Sequence, residues 1–291
     1  MYGAIAGDII GSVYEKHNTS LYDFELFTEH SSFTDDTVMT VAVMESLNDW
    51  LDLEPCIREW QARFPNAGFG SRFQAWIGGH RPGDSKGNGG AMRAAPYAWI
   101  PYTWSEFAEI VEDRTRITHN SPEGVAGAWA LASTIRRLRE GHSREYAVRQ
   151  LHRIGREYRN LTWPPRIKKP GALACESVPA ALAAALNSIS FEDAIRKAVS
   201  IGGDSDTIAS MAGAVAEALY GVPEDIVQEV RDRLTPDMLT VLDRFYDEWA
   251  TLDPAVVEAN PSYMFTRAAG AHMERALRES FQRMRTRKGE V

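Results

Sequence analysis

The sequence predicts an all-α fold, and three observations carry that reading. No stretch sustains the period-2 alternation of a half-buried strand. Small and apolar residues gather instead in long helical runs, several of them ended by Gly or Pro. The glycines of the first segment, Gly3, Gly7 and Gly11, fall four apart, which places them on one helical face and lets another helix approach closely. No unit recurs at a fixed period, so a solenoid is not expected.

Composition narrows the class. The chain has 291 residues, 44% hydrophobic and 25% charged, ordinary values for a globular protein with a sizeable core. A formal net charge of −8 does not favour nucleic acid as the main partner. The two cysteines, Cys56 and Cys175, cannot build a disulfide framework and form no C-x-x-C pair, which suits a reducing compartment. The first residues lack a basic n-region, and Asp8 interrupts their apolar run, so no secretory signal is read there. No run of about 18 apolar residues would form a membrane span. The expectation is one cytoplasmic, monomeric domain over 1–291, without a membrane partner.

Taken in order, residues 2–13 form the first expected helix, with Asp8 inside it and Glu15 just beyond. A solvated acid is the ordinary alternative for Glu15. Residues 16–31 are polar with scattered aromatics and read as a loop. Phe33-Thr34-Asp35-Asp36-Thr37 then opens a helical run that continues over 45–64 with a break near Pro55. Residues 65–90 are glycine-rich and end in Gly87-Asn88-Gly89-Gly90-Ala91-Met92-Arg93. Glycines let backbone N–H groups close on an anion. A short helix expected over 91–95, before Pro96, would favour phosphate at its start. The run lacks the ending of a P-loop and the spacing of a dinucleotide fingerprint, so a structural turn fits it equally well.

A helix is expected over 104–117, led by Ser105 and Ala108 in a capping box without its acidic partner. Thr118-His119-Asn120 precedes a helix over 125–139; a cap or core role is the ordinary alternative for His119. Residues 143–158 read as an amphipathic helix, and 163–171 as a proline-set loop that could rim a site. Helices follow over 176–186 and 191–200. Gly202-Gly203-Asp204-Ser205-Asp206-Thr207-Ile208-Ala209 then leads a small-residue helix ended by Gly221 and Pro223. Two more helices are expected over 224–250 and 262–286. The last is basic, with Arg275, Arg278 and Arg283 among its residues, and reads as a solvated face.

Chemistry concentrates in two stretches of one form. Thr34-Asp35-Asp36 and Asp204-Ser205-Asp206-Thr207 each set two carboxylates and a hydroxyl at the start of a small-residue helix. A helix cap needs only one such residue. Adjacent aspartates repel unless a cation is near, and hard cations such as Mg²⁺ take carboxylate and hydroxyl oxygens. If the two helices pack side by side, their acids can close on two ions, as in metal sites built from facing helices.

Five motifs in order, Gly7-Asp8-Ile9-Ile10-Gly11 with Glu15, Phe33–Thr37, Gly87–Arg93, Thr118–Asn120 and Gly202–Ala209, together resemble the ADP-ribosylglycohydrolase family. That family includes the dinitrogenase-reductase-activating glycohydrolase and the ADP-ribosyl-arginine and ADP-ribosyl-serine hydrolases. The resemblance covers about residues 2–221; residues 222–291 carry none of its motifs and are expected to add helices to the same domain. It implies an orthogonal multi-helix bundle with a two-metal centre holding Mg²⁺, or Mn²⁺. Thr34, Asp35 and Asp36 match one set of metal ligands, and Asp204, Asp206 and Thr207 the other, with Asp206 as the bridge. Glu15, Asp35 and Asp206 are the implied catalytic acids, and Asp8 the implied structural one. Gly87, Asn88, Gly89, Gly90, Met92 and His119 match the ADP-ribose subsite.

The implied reaction is metal-dependent release of ADP-ribose from a protein side chain, arginine first, with serine-linked or small-molecule conjugates as the alternative. Asp84, just before the glycine loop, is a candidate acid for the leaving group by position alone. A non-catalytic ADP-ribose binder or structural relative is the rival from another class, and a two-metal phosphoesterase the rival enzyme. The full set of acids argues against a purely structural descendant, which has no physical need for so many converging charges.

Overall fold

The computed structural model describes residues 1–80, 83–165 and 167–250. Among these the protein is helical, with no strand beyond two isolated bridges, Asp84–His119 and Gly87–Leu173. In chain order the helices are α1 (Tyr2–Ser12), α2 (Asp35–Asn48), α3 (Leu53–Arg63), α4 (Ser71–Ile77), α5 (Gly89–Met92), α6 (Trp104–His119) and α7 (Pro122–Arg139). There follow α8 (Arg144–Leu151), α9 (Ala174–Leu186), α10 (Phe191–Ser200), α11 (Ser205–Tyr220), α12 (Glu224–Arg233) and α13 (Pro236–Phe245).

Three helices form the centre because their sequences are apolar or small on every face. In α11 every residue from Ser205 to Ala216 is buried, and α2 and α1 are nearly as enclosed. The glycine stripe of α1 is what joins them. A Cβ on Gly3 would lie 2.3 Å from the carbonyl oxygen of Gly213, one on Gly7 2.0 Å from that of Ala209, and one on Gly11 2.5 Å from the Cα of Asp206. Backbone therefore meets backbone along α1 and α11, and Asp8 and Asp206 are drawn toward each other. The Ala-rich α9 and α7 pack on α11 from the other side. Met238, Leu242 and Phe245 of α13 are fully buried in the same core, and Asn48 at the end of α2 donates to the Val241 carbonyl at 3.2 Å.

Several boundaries differ from the sequence reading, for local reasons. The break after α2 falls at residues 49–52, where Trp50 takes a positive φ of 53°. Pro55 sits in the first turn of α3, where no intrahelical N–H is lost. α4 lies inside the glycine-rich stretch. α5 begins at Gly89 rather than 91, and Pro96 opens a separate 3₁₀ turn, Ala95–Trp99. The capping box of α6 is complete and lies two residues earlier than expected, with Thr103 and Glu106 bonding reciprocally. The expected helix 143–158 ends as α8 at Leu151, and a 3₁₀ turn follows at Arg156–Arg159. Thr235 and Pro236 divide the expected helix 224–250 into α12 and α13, because Pro236 starts a helix well and continues one badly. The basic helix expected over 262–286 lies outside the described residues, as does the rest of 251–291. No helix among the described residues is long and apolar enough to cross a membrane.

Candidate active site

The two acidic stretches meet, although α2 and α11 touch only near their N-termini instead of packing side by side; α1 packs along α11, and α2 packs mainly on α3 and α13. Thr34 is the N-cap of α2 and accepts from the Asp36 N–H at 3.4 Å. Asp204 occupies the N-cap position of α11 but makes no capping bond; its Oδ2 accepts instead from the Asn88 side chain at 2.6 Å. Thr207 donates to Asp36 Oδ2 at 2.9 Å across the helix pair. Carboxylate oxygens of Asp8, Asp36 and Asp206 lie within 4.8 Å of one another, and so do those of Glu15, Asp204 and Asp206. Asp206 is the residue common to both triads. Asp35 and Thr207 line the same cleft, whereas the Thr34 hydroxyl turns its proton to Asp8 Oδ1 at 2.6 Å.

Asp8 is the keystone beneath the cluster. It is fully buried and accepts from the backbone N–H groups of Thr34 and Thr37 and from both their hydroxyls. The helix dipole and two N–H groups at the start of α2 favour its charged form, but burial outweighs them and holds its carboxyl above the ordinary range. With its oxygens so occupied, its work is to hold α2 against α1.

Residues Asp36 and Asp206 are different. Asp36 Oδ1 and Asp206 Oδ1 are buried and have no hydrogen-bond partner. Buried acceptors of this kind are costly unless something satisfies them. The donor set is all oxygen, so a hard divalent cation fits it. The electrostatics agree. Burial, and then Asp8 and Asp204, push the Asp35 carboxyl up to about 7. Burial and neighbouring carboxylates push Asp36 and Asp206 well above the ordinary range.

This sets a pH dependence for the metal-free protein. An acid whose folded-state pKa is raised favours the fold fully below its unfolded value, here 3.8 for Asp35, and loses that contribution as pH rises through about 7. Ordinary surface carboxylates have already ionised by roughly pH 5. Between about pH 5 and pH 8 the melting temperature of metal-stripped protein should therefore fall. A melting temperature that rises across this window would contradict the electrostatics. Saturating Mg²⁺ should restore most of the loss at the alkaline end.

The glycine loop lines the same cleft. Gly87 and Gly89 line it with Met92, Ser85 and His119. A side chain would crowd the loop here: a Cβ on Gly89 would lie 3.0 Å from His119 Cε1, and one on Gly90 2.9 Å from Thr115 Cγ2 and 3.2 Å from His119 Cβ. His119 Nδ1 shares a 2.7 Å hydrogen bond with the Thr118 hydroxyl, which also accepts from buried Arg93 at 2.6 Å. Burial, then the cations of Arg93 and Arg72, push the imidazole down to about 3. His119 is thus neutral at physiological pH, a support for the loop and a polar contact, not a proton donor.

Two expectations are refined. The Asn88 side chain, expected at the ADP-ribose subsite, is committed to Asp204 and to Ser177 at 3.1 Å, so it orients an acid of the cluster. Asp84 forms an ion pair with Arg72 at 2.7 Å, is exposed, and does not line the cleft, which removes the positional argument for it as an acid. The sequence reading also missed the aromatic wall of Phe69 and Phe73, whose rings stack at 5.0 Å beside the cleft.

A profile of the ADP-ribosylglycohydrolase family matches residues 1–255. The chain belongs to that family. Human ADP-ribosylhydrolase ARH3 is 27% identical over 326 residues, spanning 81% of this chain and 89% of its own length. The Pseudomonas putida ADP-ribosylarginine hydrolase Tri1 is 32% identical, over 53% of this chain and 44% of its own. The Rhodospirillum rubrum ADP-ribosyl-dinitrogen reductase glycohydrolase is 29% identical over 47% of each chain. A solved ADP-ribosylglycohydrolase-related protein complex shares the fold, with a TM-score of 0.69 over 84% of this chain and 94% of that one at 22% identity. This ADP-ribosylglycohydrolase is therefore a hydrolytic enzyme of a metal-dependent family, and its all-α bundle is of the family type.

Proposed function

We propose that this ADP-ribosylglycohydrolase releases ADP-ribose from ADP-ribosylated arginine side chains, with two Mg²⁺ ions, or Mn²⁺ in their place, held by its acid cluster. One observation carries the reading. A single cleft is lined both by the carboxylates of Glu15, Asp35, Asp204 and Asp206 and by Gly87, Gly89 and His119. A diphosphate suits the glycine loop. The hydroxyls of the distal ribose suit oxygen-bound cations. ADP-ribose is a ligand that carries both chemistries.

Thr34, Asp35, Asp36, Asp204, Asp206 and Thr207 would hold the ions, which would supply orientation of the ribose hydroxyls and stabilisation of charge developing at the sugar. Asp206 links the two carboxylate triads. Glu15, exposed at the mouth, takes the proton of the attacking water as the oxygen bonds to the sugar carbon, and that proton passes to the leaving guanidine nitrogen as its bond to the sugar breaks. His119 stays neutral and keeps the glycine loop in shape. The products are free ADP-ribose and the unmodified side chain. The arginine linkage rests on the named arginine hydrolase among the relatives and on the acidic mouth, which suits a cationic guanidinium. The serine-linked conjugate is the second reading, because ARH3 aligns over much more of the chain than the arginine hydrolase does.

The test is release of free ADP-ribose from an arginine-modified protein and from a serine-modified peptide, each with Mg²⁺ and with EDTA. Magnesium-dependent release from the arginine conjugate is the expected result. Release from the serine peptide alone would replace the linkage, and AMP with ribose phosphate as products would replace the reaction. Glu15→Gln should lower kcat by about 10²–10⁴-fold, the range for loss of a general base, with little change in KM.

A further inference from the structure

Glu15 is exposed, follows the end of α1, and belongs to a triad of carboxylates that repel one another. Something must hold its segment in place. Among the described residues, the hydrogen bonds tying residues 15–20 to distant parts of the chain run from one side chain, Asn18. Its Oδ1 accepts from the Gly203 N–H at 2.9 Å, and its Nδ2 donates to the Gly203 carbonyl at 3.0 Å. The same Nδ2 donates to the carbonyls of Tyr14 at 2.8 Å and Glu15 at 3.1 Å. The amide thus grips Gly203 at two points, and its two N–H hydrogens are shared among the carbonyls of Gly203, Tyr14 and Glu15, which also closes its own turn.

The gripped residue is the one before Asp204. Gly202 and Gly203 have φ of +71° and +87°, a region that favours glycine. A Cβ on Gly203 would lie 2.1 Å from the Pro170 carbonyl oxygen, which also accepts from the Asp204 N–H at 3.0 Å. Gly203 is therefore held between Asn18 on one side and the Lys169–Pro170 segment on the other. Glu15 is three residues from one partner of this grip, and Asp204 is one residue from the other.

We propose that Asn18 is a positioning residue of this enzyme, a latch that fixes the Glu15 segment to the Asp204 turn and so sets the Glu15–Asp204–Asp206 triad. Neither partner touches the reacting atoms; Asn18 acts through the two acids it brings together. The inference rests on the proposed cation site and on Glu15 as base, but the latch itself can be read without either.

The experiment compares wild type with Asn18→Ala, Asn18→Asp, Glu15→Gln and the Asn18→Ala/Glu15→Gln double variant. Amide hydrogen exchange on metal-free protein reads the latch directly: in Asn18→Ala the Gly203 N–H should exchange on the order of tenfold faster or more, with no change in α2 or α9. Mn²⁺ titration should show roughly 10–100-fold weaker binding, the usual cost of removing a group that orients a ligand. In turnover, kcat should fall by a similar factor with KM within about threefold. Asn18→Asp keeps the acceptor for the Gly203 N–H but loses the donor to the three carbonyls, so it should restore Gly203 protection without restoring Mn²⁺ affinity or kcat. The double variant should be slower than Glu15→Gln, but by less than the full Asn18→Ala factor, since the latch acts in part through Glu15. Unchanged Gly203 exchange, or unchanged Mn²⁺ affinity with full kcat in Asn18→Ala, would overturn the proposal. A wild-type protein that releases no ADP-ribose would count against the proposed reaction instead, while the exchange result would still decide the latch.

Discussion

Replacing Asp206 with asparagine is expected to abolish ADP-ribose release and, at the same time, to stabilise the metal-free protein. The two effects have one cause. Asp206 is shared by both carboxylate triads, is buried, and has an oxygen without a partner. Removing its charge deprives the site of the ligand common to both triads, so a loss of about 4 kcal/mol of transition-state stabilisation, roughly 10³-fold, is the expected minimum. In the absence of a cation, burying this carboxylate is unfavourable, and its charge is repelled by Asp204, Asp8 and Glu15. A higher melting temperature for Asp206→Asn in EDTA, with no Mg²⁺-induced rise, is the outcome that fits. A variant that melts lower than wild type in EDTA would mean that the carboxylate is structural.

The second large effect is expected at a residue with no functional group. Gly7→Ala places a methyl group 2.0 Å from the Ala209 carbonyl oxygen and 2.6 Å from the Ser210 nitrogen. These are backbone atoms and cannot rotate away. Alanine gains about 1 kcal/mol in helix propensity over glycine, but the clash outweighs that gain, because one helix must shift. A net loss of about 2–3 kcal/mol is expected, or roughly 5–10 °C in melting temperature. Because Asp8 is the next residue, the shift also breaks its bonds to Thr34 and Thr37. Cation affinity should fall in the same variant. Gly70→Ala is the stability control, since a Cβ there meets nothing within 4 Å; it should melt within about 1 °C of wild type.

Much of the fold was legible because its signals are local. The Gly3-Gly7-Gly11 stripe announced a closely packed helix, and the structure shows its partner, α11. The two acid–hydroxyl stretches announced helix starts with more charge than a cap can use. Thr34 takes the cap of α2, and Asp204 sits at the cap of α11 without capping it. What the sequence could not show is which residues serve the site from outside it. Asp8 looked like one acid inside an apolar helix; only the fold puts four donors around it. Asn88 sits in a glycine loop, and nothing local says that its amide turns to Asp204, which lies 116 residues on. Asn18 was one polar residue in an aperiodic loop, and its partner lies 185 residues away. Boundaries erred where one residue decides, as with Thr103 for α6 and Pro236 for α13, because a cap or a proline competes locally with the apolar period.

The central claim is that the carboxylates of α2 and α11 form a cation site on which hydrolysis depends. The most direct measurement is a titration of metal-stripped protein with Mn²⁺, with bound ion counted by electron paramagnetic resonance and ADP-ribose release measured on the same samples. The account predicts that release rises in step with occupancy, and that both vanish in Asp206→Asn. Full-rate release from protein with no ion bound would contradict it.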